Sequence, residues 1–122
     1  MDTRRFYESL NENFDAVAAR FGSTDMVGRF ALKFAGDPSF DELKLWLGNR
    51  DGKQAFRAAH TLKGVAATLG FDRLAAAASA LTESLRGGEI TDEAQPLYEK
   101  VEAEYERVIA ALKSFGMENG KE

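Results

Sequence analysis

The chain contains one histidine, His60, and the residues spaced around it define the chemistry on offer. It lies in the segment DGKQAFRAAHTLKGVAATLG, residues 51–70. At about 100° per residue, Ala55, Ala58, Leu62, Val65, Ala66 and Leu69 gather on one side of a helix. His60 falls nearly opposite, on a face shared with Lys53, Phe56, Arg57, Lys63, Gly64, Ala67 and Thr68. Gly64 is the anomaly, because glycine inside an exposed helix costs about 1 kcal/mol against alanine. Four residues after His60, it removes the side chain that would crowd the ring. Lys63 at i+3 can swing toward an anion held on the imidazole, and Arg57 at i−3 adds positive potential. A nucleophilic imidazole, open space and a flexible cation are what transfer of a phosphoryl group to histidine requires.

Composition closes off most other chemistry. There is no cysteine, which excludes disulfides, thiolate metal sites and cysteine catalysis. With a single histidine, a metal site would have to be built almost wholly from carboxylates, and no loop has the alternating acidic ligands of a calcium site. The net charge of −4 speaks against a nucleic-acid or anionic-membrane binder, since both need surplus cationic surface. No segment approaches the ~18 consecutive apolar residues of a membrane span. The N-terminus MDTRRFYESL has no apolar stretch of signal-peptide length, so a cytoplasmic protein is expected. A length of 122 residues with 44% apolar content suits a single globular domain over 1–122.

The elements that must hold His60 are all helical. Ala, Leu, Glu, Lys and Arg dominate, and β-branched runs are absent. A first helical segment covers about Thr3 to Phe21, with a break near Asn11–Asn13, and ends at Gly22. Ser23 or Thr24 opens the next, which runs to about Ala35. A third begins at Asp37-Pro38-Ser39, where Ser39 and Glu42 have capping-box spacing, and carries Phe40, Leu43, Leu45, Trp46 and Leu47. Asp51 with Gln54 repeats that logic for the helix of His60, from Gly52 to about Leu69. Asp72 is placed to cap an alanine-rich helix from Arg73 to Arg86. The last helix starts near Thr91–Asp92 and runs to Phe115, with Met117 to Glu122 expected to fray. Short loops between long amphipathic helices favour antiparallel neighbours. The expected architecture is therefore an all-α, up-down four-helix bundle preceded by short N-terminal helices.

Ala59-His60-Thr61-Leu62-Lys63-Gly64, followed by Leu69-Gly70-Phe71 and Leu74, resembles the histidine-containing phosphotransfer (HPt) family. The family pattern is a histidine, any residue, an aliphatic residue, lysine and glycine, then small residues and a leucine-glycine helix end. The close match covers residues 59 to 74, and the helical layout and length resemble a free-standing member over nearly the whole chain. The resemblance implies that His60 is the phosphoacceptor, Lys63 steadies the phosphoryl oxygens and Gly64 leaves room for them. It implies a phosphoryl carrier in a two-component phosphorelay, not an enzyme. Its partners would be response-regulator receiver domains and a hybrid sensor kinase. It further implies a monomer with no ATP site, no metal and no cofactor, with Mg2+ belonging to the receiver. One departure is Val65, where the family often has serine or alanine; the helical wheel turns Val65 toward the core.

Less specific readings stand beside this one. Lys53 and Arg57 serve either solubility or phosphate and partner binding. Phe56 is either half-buried under the N-terminal helices or an apolar contact for a receiver, with Ala67 and Thr68 on the same candidate docking face. Met26 and Phe30 raise the same choice and are assigned to the core, as is Trp46. The carboxylates Glu99, Glu102, Glu104 and Glu106 read as a solvated face. Two other functions fit an HPt-like helical chain: an adaptor that binds partners without being phosphorylated, and an inhibitor docked on a sensor-kinase dimerisation domain.

Overall fold

Strong helix formers fill the chain, and its breaks fall at glycines and short polar turns. The computed structural model describes residues 2–119. Among them are seven α-helices and no strand: α1 Thr3–Ser9, α2 Phe14–Phe21, α3 Thr24–Lys33, α4 Ser39–Gly48, α5 Gly52–Thr68, α6 Asp72–Ser84 and α7 Ala94–Asn119. A 3-10 turn, Phe34–Gly36, follows α3.

Helices α4 to α7 form the bundle, with α5 packed against α4 and α6, and α6 against α7. Aromatic stacking closes α4 onto α7. The Phe40 ring lies 4.1 Å from Tyr105 at an interplanar angle of 11°, and 5.9 Å from Tyr98. The short helices α1 to α3 close one end. Phe6 stacks on Phe115 at 5.0 Å, and Phe71, in the α5–α6 connection, meets Phe6, Tyr7 and Phe34. One hydrophobic cluster thus runs without interruption from Phe6 to Phe115.

Several helix ends depart from the local reading. The break at Asn11–Asn13 is real: Asn11 takes φ +57°, and the Asn13 side chain accepts from Ala16 N at 3.1 Å. The Ser39–Glu42 capping box does not form. Ser39 is already the first residue of α4, and its N–H donates to the Asp37 carboxylate at 2.9 Å. Asp72 likewise lies inside α6 and does not cap it. The carboxylate that accepts from Arg73 N, at 3.2 Å, is Glu12 from the α1–α2 turn. α6 ends at Ser84 and not Arg86, and α7 starts at Ala94 and not Thr91–Asp92. α7 also continues through Gly116 to Asn119, so the fraying expected from Met117 does not occur through Asn119. Residues 120–122 lie outside the described part. The added length has a tertiary cause, because Phe115 is held by Phe6 and Gly116 passes close to Leu32.

Three side chains assigned to the core are not buried in it. Met26 and Phe30 are 42% and 39% exposed, and Leu45 is exposed on α4. α3 buries Val27, Gly28 and Ala31, which turns Met26 and Phe30 one step outward. Trp46 is only partly buried.

Candidate functional site

α5 is anchored at both ends, which fixes the direction of everything it carries. At its start the Asp51 carboxylate accepts from Gln54 N at 3.0 Å, as the sequence indicates. At its end the unpaired carbonyls of the last turn are taken up by the N-terminal helices. Arg20 of α2 donates to Ala67 O and Thr68 O at 2.9 and 3.0 Å. Tyr7 of α1 donates from its hydroxyl to Leu69 O at 2.6 Å, and burial pushes that phenol well above its ordinary pKa. Gly70 then turns the chain at φ +78°, where an added Cβ would collide with Val17. No other residue type fits there without displacing α2.

His60 is exposed near the middle of this helix. Its ring is nearly parallel to that of Phe56, with centroids 6.2 Å apart and an interplanar angle of 7°. Phe56 is half-buried, but not beneath the N-terminal helices as expected. The Arg86 guanidinium, just beyond α6, lies 5.3 Å from its ring centre. Arg86 in turn donates to both oxygens of Glu83, at 3.1 and 2.8 Å. These hydrogen bonds and the charge of Arg86 hold the Glu83 carboxyl below its usual range, with a smaller contribution from Lys63. Lys63 is therefore electrostatically close to Glu83, on the α6 side of His60.

On the opposite side of His60 lies a groove of about 640 Å³. His60, Thr61, Gly64, Val65, Thr68 and Leu69 form its α5 wall. Facing them are Phe21, Phe30, Lys33, Phe34 and Asp37. Val65 is thus partly buried beside the histidine, not turned fully into the core. A Cβ built on Gly64 meets nothing within 4 Å, so the space beside the imidazole is open.

The structure gathers His60, Gly64 and Thr68 on the groove, with Lys63 on the other flank of the helix. Ala67 and Thr68 are exposed at its last turn, and the Thr68 hydroxyl donates to Gly64 O at 2.9 Å. Arg57 is exposed but does not line the groove. Lys53 stands two turns before His60, about 10 Å along the axis, against Gly88 of the α6–α7 connection. Sequence reasoning missed Arg20, Phe21, Lys33 and Arg86. A signal existed for α3 alone: Met26, Phe30 and Lys33 recur at four- and three-residue steps and so share one outward stripe.

Comparison with protein families matches residues 35–112, more than half of the chain, to the Hpt domain. The chain belongs to the Hpt domain family. No curated protein and no solved structure matches it. The matched part takes in the bundle helices α4 to α6 and most of α7, and with them His60, Lys63 and Gly64. Hpt domains are phosphocarrier modules of two-component signalling that work with receiver domains and kinases, which gives this chain a phosphotransfer role in that setting. Helices α1 to α3 precede the Hpt match, so one wall of the groove is built by residues outside it. Among the described residues, no three or more His, Cys, Asp or Glu are grouped to hold a metal ion. No helix there is long and apolar enough to cross a membrane.

Proposed function

We propose that His60 accepts a phosphoryl group from a receiver-domain aspartyl phosphate and passes it to a second receiver. An imidazole nitrogen attacks phosphorus in line, the N–P bond forms, and the P–O bond to the aspartate breaks with the carboxylate leaving. The reverse of these events on another aspartate discharges the histidine. The observation that carries this reading is the exposed imidazole beside empty space at Gly64 on a helix anchored at both ends. Lys63 offsets charge on the phosphoryl oxygens from one flank, and Gly64 admits them. Arg57 adds positive potential, and Phe56, Ala67 and Thr68 contribute to the surface that meets the partner. Lys53, two turns away, acts on the partner's approach and not on the phosphoryl group. Neither an ATP site nor a metal on this chain enters the reaction; Mg2+ acts in the receiver. The protein works as a cytoplasmic monomer.

The test is intact-mass measurement after incubation with phosphorylated receiver domains from the same organism. One acid-labile phosphoryl group is expected on the wild type and none on His60→Gln. His60 is exposed, so the substitution should leave the melting temperature within the shift expected of a surface change, about 0.5 kcal/mol. Receiver binding with no label at all would favour the adaptor. Loss of kinase autophosphorylation without label on this chain would favour the inhibitor.

A further inference from the structure

The groove beside His60 has a wall that the phosphotransfer chemistry does not require. Phe21 of α2 stacks on Phe30 of α3 with ring centroids 5.2 Å apart, and the Lys33 ammonium lies 5.3 Å from the Phe30 ring centre. Together they form a ledge with an apolar floor and a cationic edge, facing His60 across about 640 Å³. Lys33 makes no ion pair with any described residue. Phe30 and its neighbour Met26 are the exposed large apolar side chains of the ledge, in a chain that elsewhere buries nearly all of its rings. The ledge is clamped in place, since Arg20, next to Phe21, holds the last carbonyls of α5.

We propose that the α2–α3 ledge selects the partner: Phe21 and Phe30 receive an apolar helix face of a receiver domain, and Lys33 pairs with an acidic side chain at the edge of that face. This rests on the reading of His60 as the site of exchange with receivers. The groove is continuous with His60, so whatever presents a phosphoryl group there must also cover the ledge. A second copy of this chain fits poorly, because symmetric self-pairing would oppose Lys33 to its own equivalent. An acidic edge on the partner complements both Lys33 and the Lys63 flank. Partner choice is then divided from chemistry. The bundle holds the reacting group, and the short helices before it decide which receiver is held long enough to react.

The test uses the full chain with Phe30→Ser and Lys33→Glu, both at exposed positions. Two donors separate docking from chemistry: phosphorylated receiver domains, and phosphoramidate, which phosphorylates imidazole with loss of ammonia and needs no docking. Each variant should raise the half-saturating concentration of the preferred receiver about tenfold, as expected for a contact at a docking hot spot. Its maximal rate should stay within about twofold, and its labelling by phosphoramidate should be unchanged. A lysine placed at one receiver carboxylate should restore transfer to Lys33→Glu. Unchanged half-saturation with every receiver overturns the proposal and leaves the His60 reading standing. A change in self-association of the variants, with receiver affinity intact, overturns it in favour of a contact between copies. Labelling of wild type by phosphoramidate but by no receiver overturns the exchange reading itself, and the ledge proposal falls with it.

Discussion

Gly64 offers a test in which stability and transfer should move in opposite directions. It sits in the interior of α5, and nothing lies within 4 Å of a Cβ built on it. Alanine there meets no obstacle and gains the full helix-propensity difference, about 1 kcal/mol. For a chain of this length that gain raises Tm by about 3–5 °C. Leucine keeps most of the gain, because its side chain can lie along open surface. Position i+4 is nevertheless a direct neighbour of His60, with Cβ atoms about 5–6 Å apart. A leucine at 64 occupies the space that an incoming phosphoryl group needs, and misplacing the reacting atoms by about 1 Å can cost about a hundredfold in rate. The expected order of Tm is Gly64→Ala, then Gly64→Leu, then wild type. The expected order of transfer rate is wild type, then alanine, then leucine, with leucine at least tenfold down. Thermal melts and rapid-quench transfer of labelled phosphoryl from a receiver measure the two. Leucine at wild-type rate refutes the steric argument, and a fall in Tm for alanine refutes the placement of Gly64 in an open helical site.

Other perturbations test how α5 is held. Tyr7→Phe removes the buried hydroxyl that donates to Leu69 O and should cost about 1–3 kcal/mol in denaturant unfolding; no loss would mean that water replaces it. Gly70→Ala combines positive φ with a collision against Val17 and should cost more than about 3 kcal/mol, whereas a change below 1 would show that α2 yields easily. Glu12 has its carboxyl raised chiefly by burial, so its protonated form stabilises the fold below the unfolded value of about 4.3. That contribution is lost as pH rises through the higher folded value, because the native state binds more protons across the window. Stability measured from pH 4 upward should therefore fall in wild type relative to Glu12→Gln, and a pH-independent difference between the two would refute the burial account.

Much of the site was legible because it depends on residues within two turns of one another. The 3.6-residue period put His60, Lys63 and Gly64 on one outward face of α5, and Asp51 caps that helix through its own neighbour Gln54. The misreadings share one origin. Ser39 and Asp72 had cap spacing, yet Ser39 was drawn into its helix, and Glu12 took the capping position that Asp72 seemed to own in sequence. Spacing cannot register an acceptor sixty residues away.

The helical class, the break points at Gly22 and Gly70 and the outward face of the histidine helix were determined by sequence alone. They follow from propensity, φ preference and period, which act within a turn. The groove was decided by tertiary packing. Which side of α3 faces out depends on Val27 and Ala31 finding the core, and the closeness of Phe30 and Lys33 to His60 depends on Arg20 and Tyr7 reaching the end of α5. Those contacts join residues far apart in the chain, and their energies exist only once the helices have docked.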